Sequence, residues 1–391
     1  MPAPKPGLRS APSIALVAGE ASGDQLGATL IGELRQRYPE AVFTGIGGRQ
    51  MRAAGMETWW DCEELAVFGL FEVLSHFPRL YKIRRELRKR LLALRPDVFI
   101  GIDAPDFNLG LECVLKRSGI RTVHYVSPTV WAWREKRVRK IARAADLVLC
   151  LFPFEPGFYQ GHGVSAVYVG HPMADQISGH WDPAEARSRL GMESKGNVIA
   201  LLPGSRIGEV SKLAEPMIEA ARIITGRVPD VHFVAAMANA KVRTLFESAI
   251  GQAGNPPVQL VDNEPRNVIA AADVVLVASG TAALETMLVN RPMVVSYRIA
   301  NSTYQLAKML KLVKSDYVSL PNILAGEALV PELLQHDASG PLMAAEVLGW
   351  LQDPERRTVL QSRFSQLNSE LRCSAGEKAA EAVSGLMNWR R

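Results

Sequence analysis

"IALVAGEASGDQLGATLIGEL", from Ile14 to Leu34, and "VIALLPGSRIGEVSKLAEPMIEA", from Val198 to Ala220, make the same move far apart in one chain. Each begins as a short apolar run, passes a Gly/Ser loop and continues with helical spacing of apolar residues. A strand buried on both faces reads as a continuous apolar run, whereas a helix repeats its apolar face every three to four residues. Each stretch therefore predicts the first strand, turn and first helix of a doubly wound α/β sheet.

The surrounding sequence extends both patterns. Ile14–Val17, Val42–Gly45, Val98–Ile102, Thr122–Val126, Leu147–Leu151 and Ala166–Val169 predict buried parallel strands in the first half. Val198–Leu202, His232–Ala236, Val258–Val261, Val274–Val277 and Met293–Tyr297 do so in the second. "AADLVLCLFPFEPGFY" in the first half is echoed by "AADVVLVASGTAALE" in the second. The expected organisation is a short disordered leader over 1–12, two similar Rossmann-like domains over 13–172 and 173–365 and a helical tail over 366–391. The tail either packs back on the first domain or is exchanged in a dimer. Two Rossmann-like doubly wound domains facing a central cleft make the GT-B architecture.

Composition narrows the classes. With 391 residues, 48% apolar and 22% charged, the chain is an ordinary globular protein of two or three domains. Its four cysteines are far apart and without C-x-x-C spacing, which predicts a reducing compartment and neither disulfides nor a zinc site. The start, "MPAPKPGLRSAPS", lacks the apolar core of a signal peptide. No run is long and apolar enough to span a membrane. The net charge of +5 is unevenly spread: Arg79–Arg95 holds eight Lys/Arg and one acid, Arg134–Arg143 six and one. Without a reading motif, these clusters do not predict nucleic-acid binding.

Several loops carry chemistry. In "PGSRIGEV", Gly204 and Ser205 let backbone N–H groups approach an anion at a helix start, and Arg206 adds a planar cationic fork. In "ASGTAALETML", Ser279, Gly280 and Thr281 present small residues at another helix start, with Glu285 one turn on to accept ribose hydroxyls. Together they predict a nucleotide diphosphate pocket. No G-x-x-x-x-G-K-[ST] is present, and "GIGGRQMRAAG" lacks G-x-G-x-x-G, so neither a P-loop enzyme nor an oxidoreductase is expected.

"GIDAPDFNL" places Asp103, Asp106 and Asn108 after a buried strand, where a carboxylate can serve as general base. A capped turn around Pro105 is the plainer alternative. Glu20 raises the same question on the first strand, with Ser22 and Asp24 as helix caps beside it. His171, in "VGHPMAD", either touches ligand or packs beneath the crossover, and Trp131 and Trp133 are either core or ligand contacts. "WWDCEELAVFGLFEVLSHF", Trp59 to Phe77, runs straight into the basic helix. Phe68, Leu70, Phe71 and Leu74 with Arg84, Arg85 and Arg88 are expected to face lipid.

With those residues in hand, the chain resembles the lipid-A-disaccharide synthases nearly throughout. The carriers are "AGEASGDQLGA", "GIGG", "GIDAPDFNL", "YVSPTVWAW", "FPFE", "YVGHP", "LPGSR", "ASGTAALE" and "YVSLPNILAG", in that order. The resemblance implies an inverting GT-B enzyme that condenses UDP-2,3-diacylglucosamine with 2,3-diacylglucosamine 1-phosphate (lipid X). The products would be the β-1′,6-linked disaccharide 1-phosphate and UDP. It further implies Asp103 or Asp106 as base, Glu285 near the ribose, Asn322 in the nucleotide pocket and Glu20, Ser22, Asn108 and His171 around the acceptor. Neither metal nor cofactor is expected, since no D-x-D motif is present. A peripheral position on the cytoplasmic face of the inner membrane and a possible homodimer complete the expectation. The rivals are another GT-B enzyme acting on UDP-N-acetylglucosamine, either a lipid-linked transferase or a 2-epimerase, and a non-catalytic lipid or nucleotide binder.

Overall fold

The computed structural model describes residues 11–65, 70–128, 137–177, 179, 181–192, 195–299 and 316–387, with backbone alone between 70 and 77. Its compact units are Met1–Asp175 with Leu371–Arg391, and Gln176–Glu370. The sequence reading divides the chain a few residues earlier, at 172 and 365.

In the first unit the strands are β1 (Ser13–Ala18), β2 (Val42–Gly47), β3 (Glu57–Asp61), β4 (Val98–Ile102), β5 (Arg121–Tyr125), β6 (Leu147–Cys150) and β7 (Ala166–Tyr168). They pair in the order β3-β2-β1-β4-β5-β6-β7, every neighbour parallel. In the second they are β8 (Asn197–Leu202), β9 (Val231–Met237), β10 (Val258–Asp262), β11 (Val274–Ala278), β12 (Met293–Tyr297) and β13 (Glu332–Leu334). Their order is β10-β9-β8-β11-β12-β13, again all parallel. Both sheets thus reverse direction of growth beside their first strand, at β1/β4 and at β8/β11. Ligands of open α/β sheets bind at the carboxyl ends of strands at such points.

The repeated "D-[LV]-V" and "PDV" strings have a structural cause at the opposite ends of the strands. Asp97 accepts the Ser13 N–H at 2.7 Å, Asp146 the Thr122 N–H at 2.9 Å and Asp273 the Val198 N–H at 2.8 Å. Each Asp, one residue ahead of its own strand, satisfies a donor in the first two residues of the neighbouring one. Leaving such a donor unpaired costs about 1–3 kcal/mol.

Two strands escape the apolar pattern, β3 and β13, and both lie at sheet edges. In β3, Trp59 and Trp60 are half-buried against the core cluster of Val17, Phe99, Leu87 and Leu91. The Arg90 guanidinium lies over both indoles, 5.6 and 4.8 Å from the ring centroids. The opening of the segment expected to meet lipid is therefore a covered sheet edge.

The carboxyl-terminal helix, Ala375–Met387, returns to the first sheet. Ala379, Ala380, Val383 and Met387 join the cluster of Ile14, Leu16, Leu30 and Leu34. Its start is tied down by Asp175, whose carboxylate accepts the N–H groups of Cys373, Ser374 and Ala375 at 3.1, 3.0 and 2.6 Å.

Candidate functional site

The carboxyl ends of β1 and β4 abut. A Cβ on Gly19 would stand 2.7 Å from the Ala104 Cβ, so only glycine lets the two loops approach so closely. Asp103 and Ala104 both adopt left-handed backbone, φ 51° and 43°, and Val126 at the end of β5 has φ 78°. For residues with a Cβ such conformations cost on the order of 1–3 kcal/mol each, and they collect at functional sites. The bend is held from below. Asn108, fully buried, donates its Nδ2 to the carbonyl of Asp103 at 2.9 Å, and at 3.4 Å to those of Val17 and Ile102. The Asp103 N–H donates to Tyr125 O at 2.8 Å, and the N–H groups of Phe107 and Asn108 converge on Ala104 O at 3.0 Å.

Asn108, expected near the acceptor, is thus the buried brace under the loop. Beneath it, Glu112 and His124, both buried, form a 2.7 Å hydrogen bond across Gly101, whose absent side chain leaves the Glu112 carboxylate its room. The two aspartates differ. Asp106, on the first turn of helix Pro105–Arg117, pairs with Arg137 at 3.3 Å. The exposed Asp103 carboxylate has no hydrogen bond or ion pair among the described residues. Glu20 is exposed at the start of helix Ala21–Arg37, which has no side-chain cap, so Ser22 does not play that part. Asp24 caps elsewhere: buried, it accepts the N–H groups of Gly48, Gln50 and Met51 at 2.6, 2.9 and 3.1 Å and fixes helix Arg49–Ala53.

At the second switch point, Gly204 (φ 113°) follows β8 by two residues and leads through exposed Ser205 and Arg206 into helix Ile207–Thr225. Arg206 is largely solvent-facing and meets Glu209 at 3.1 Å. Beside it, at the end of β11, Gly280 (φ 149°) is the N-terminal residue before helix Thr281–Leu288, which also lacks a side-chain cap. Nothing lies within 4 Å of where a Gly280 side chain would begin. Two uncapped helix starts on adjacent strands leave backbone donors and both positive helix ends free for an anion. Thr281 is exposed there, while the Ser279 hydroxyl leans to Val318 O at 3.4 Å. One turn on, Glu285 is held by Arg266 through a 2.8 Å bond to one carboxylate oxygen.

Asn322 departs from expectation. It is buried, donates to Val330 O and the Glu332 carboxylate at 2.9 and 2.8 Å, and accepts the Val330 N–H at 3.0 Å. Glu332 also gathers the Val318 and Ser319 N–H groups and the Ser319 hydroxyl at 2.7–2.9 Å. Asn322 thus shapes the loop from within, with its amide engaged by Val330 and Glu332.

A family model described as lipid-A-disaccharide synthetase matches residues 14–383. The chain belongs to that family. It is 53% identical over 392 residues to the lipid-A-disaccharide synthase of Xanthomonas campestris pv. campestris (strain 8004), covering all of this chain and 90% of that one. It is 53% identical over 382 residues to the Xylella fastidiosa (strain M12) synthase, covering 97% and 99%. Among solved structures, a UDP-N-acetylglucosamine 2-epimerase from Neisseria meningitidis bound to UDP-GlcNAc superposes with TM-score 0.65 at 12% identity, over 96% of this chain and all of that one. The Anabaena protein HepE with UDP and glucose gives 0.56 at 12%, over 95% and 99%. These likenesses identify the fold as GT-B, with two parallel-sheet α/β domains.

The remaining expected site residues of this family member fall into three groups. His171 packs: its ring stacks on Phe152 at 5.6 Å and its Nδ1 accepts the Met173 N–H at 3.2 Å. Burial lowers its pKa from 6.5 to about 4, against a smaller upward pull from Asp175, so it is neutral near pH 7. Arg84 turns inward, half-buried with its guanidinium over helix residue Gly110 and 5.9 Å from the Phe107 ring. Burial lowers its pKa. Its expected lipid contact is thereby corrected, because a glycine on the neighbouring helix leaves it a groove. Arg85 and Arg88 are exposed on helix Leu70–Leu94. Phe68 lies outside the described residues, as do Trp131 and Trp133 and the side chains of Leu70, Phe71 and Leu74. Sequence reading missed Arg137, Arg266 and Glu332, which orient the expected residues from distant positions. Among the described residues, no helix is long and apolar enough to cross a membrane.

Proposed function

We propose that the protein is an inverting glycosyltransferase joining UDP-2,3-diacylglucosamine to 2,3-diacylglucosamine 1-phosphate (lipid X). The acceptor 6-hydroxyl oxygen attacks the donor anomeric carbon as the bond from that carbon to the UDP oxygen breaks. Asp103 takes the hydroxyl proton, and UDP leaves with the electron pair. One displacement on the opposite face turns the α-linked donor into a β-linked product. Asp103 is chosen over Asp106 because the Asp106 carboxylate is already engaged by Arg137, whereas that of Asp103 has no partner among the described residues. Its strained, braced backbone supports the choice, since a general base works only within hydrogen-bond reach of its proton.

The developing charge on UDP is met by Arg206 and by the free N–H groups after Gly204 and Gly280, donors already oriented before reaction. The Arg266-held carboxylate of Glu285 accepts ribose hydroxyls. The observation that carries this reading is the division of chemistry between the two switch points: free carboxylates on one, uncapped helix starts with Arg206 on the other. Neither a metal nor a cofactor enters, since fixed donors and one arginine supply the charge compensation. Acylated substrates call for a membrane surface, and the proposed one is the cytoplasmic face of the inner membrane. The exposed row Lys82, Arg85, Arg88 and Lys89 suits anionic headgroups there, each basic residue worth about 1 kcal/mol near such a surface. A homodimer formed by exchange of helix Ala375–Met387 would place the same apolar face on the partner's first sheet; light scattering tests it.

The deciding experiment follows UDP and disaccharide formation from the two acylated substrates in detergent. Equimolar UDP and β-linked disaccharide are expected. UDP binding without disaccharide from this acceptor would overturn the acceptor assignment. Acceptance of UDP-N-acetylglucosamine in its place would favour the rival enzymes.

A further inference from the structure

Helix Leu70–Leu94 carries its arginines in two ways. Arg85 and Arg88 face solvent, and Arg79 and Arg90 pair with Glu64 and Glu86 at 2.8 and 3.7 Å. Arg84 instead turns inward over helix Pro105–Arg117. Its guanidinium lies in the groove that Gly110 leaves open, 5.9 Å from the centre of the Phe107 ring. There it has neither a hydrogen bond nor an ion pair among the described residues.

Elsewhere the fold gives an inward guanidinium its acceptors. Arg187 donates to Ala271 O and the Asp273 carboxylate, both at 2.9 Å, and Arg291 to Ala270 O at 3.1 Å and Trp181 O at 2.8 Å. A half-buried cation gives up part of its hydration, which is costly unless an acceptor replaces it. Burial lowers the Arg84 pKa, with a smaller upward pull from Cys113 and none from a carboxylate. None of its nitrogens is among the polar atoms sealed from solvent in the described residues, so an incoming oxyanion can reach them. A planar fork of N–H groups matches the oxygens of a phosphate.

Its place points to whose phosphate this is. Gly110 lies four residues beyond Asp106, on the same face of the helix and about 6 Å along its axis. Phe107, beside the guanidinium, donates its N–H to Ala104 O in the bend that carries Asp103. The unanswered cation is thus close to the acidic edge of the first unit. In 2,3-diacylglucosamine 1-phosphate the phosphate and the 6-hydroxyl flank one ring oxygen. An enzyme that deprotonates the hydroxyl must hold the phosphate close by.

We propose that Arg84 grips the 1-phosphate of the acceptor and makes the enzyme selective for a phosphorylated one. Two of its N–H groups donate to two phosphate oxygens, and the Gly110 groove fixes the fork. The inference rests on the transferase reading with Asp103 as base. A bulk lipid headgroup offers the same chemistry, but the inward turn sets Arg84 apart from the solvent-facing residues that suit one.

The test compares kcat/KM for 2,3-diacylglucosamine 1-phosphate with that for 2,3-diacylglucosamine, in detergent, for wild type, Arg84→Met and Gly110→Ala. Methionine keeps the stem without the charge. Alanine favours the helix, and its Cβ would collide with the Arg84 Nη2, which moves the fork with the arginine still present. Wild type is expected to favour the phosphorylated acceptor. Both variants should lose about 10–100-fold of that preference, mostly through acceptor KM, with unchanged melting and UDP affinity. Equal losses on both acceptors would make Arg84 a packing residue and overturn the proposal. No preference in wild type, or an undiminished one in both variants, would overturn it too. Flotation on vesicles of phosphatidylglycerol, against phosphatidylcholine, separates the sources. Capture that needs Arg84 while the acceptor preference does not assigns a bulk headgroup and also overturns the proposal. If wild type makes disaccharide from neither acceptor, the transferase reading falls by itself. Fluorescence titration of the two acceptors then decides on Arg84: phosphate-dependent binding lost in both variants upholds the grip, and equal binding of the two acceptors overturns it.

Discussion

At the β1/β4 switch point the chain presents Glu20, Asp103 and Asp106 around a bend in which Asp103 and Ala104 adopt left-handed backbone. At β8/β11 it presents Gly204, Ser205, Gly280 and Arg206 ahead of two uncapped helices. The sheets that carry them have the same strand order through their centres. Only the loops differ, and the roles proposed for them follow from that difference. Carboxylates repel a diphosphate and accept protons; glycine turns and an exposed arginine do the reverse. The backbone costs differ too. The acidic edge holds residues with a Cβ at positive φ and needs Asn108 beneath it, whereas the phosphate edge assigns positive φ to glycine.

The sharpest way to break this comparison is Asp103→Asn, which keeps shape and tolerates left-handed backbone while removing the base. Turnover is expected to fall about 10³-fold, within the range for general-base catalysis, with UDP affinity unchanged. Asp106→Asn should cost far less, and equal losses in steady-state rates would mean the edge acts by charge alone. Arg206→Ala is the counterpart on the other edge. A loss of about 10²-fold, mostly in kcat, is expected from removing one transition-state donor. An effect confined to KM would make Arg206 a ground-state binder.

Acid tests the crossover between the units. His171 has a folded pKa near 4 against 6.5 unfolded, so the unfolded state binds the extra proton first. Its neutral burial is without cost above about pH 6.5, and stability falls as pH drops from there to about 4, by roughly 3 kcal/mol in all. Denaturant midpoints of wild type and His171→Leu should diverge in that window; parallel curves would refute the assignment. Gly280→Ala is smaller. The site is open, so the loss of about 1–2 kcal/mol should come from the backbone alone, read as a fall in melting temperature. The smallest effect should be that of EDTA on initial rate: none, if Arg206 and the loop amides suffice. Loss of activity restored by a divalent cation would show that they do not.

Legibility followed burial. β1, β4, β8 and β11 are covered on both faces and read as unbroken apolar runs. β3 and β13 sit at edges, short and half-exposed, and their patterns merge with neighbouring segments. The loops that carry chemistry were legible because each follows a central strand. Their supports were not. Arg266 reaches Glu285 from 19 residues away, and Asp175 caps a helix 200 residues later. Asn108 and Asn322 illustrate the limit: facing outward and facing inward look alike in one dimension.

By itself the sequence determined the two sheets, their switch points and the residue types at each edge, because hydrophobic periodicity and residue type act locally. Tertiary structure decided which aspartate is unpartnered, which asparagines brace the loops, where Arg84 turns and what the last helix covers. Those outcomes depend on groups brought together across the chain, where desolvation makes each buried polar atom find its partner wherever the fold supplies one.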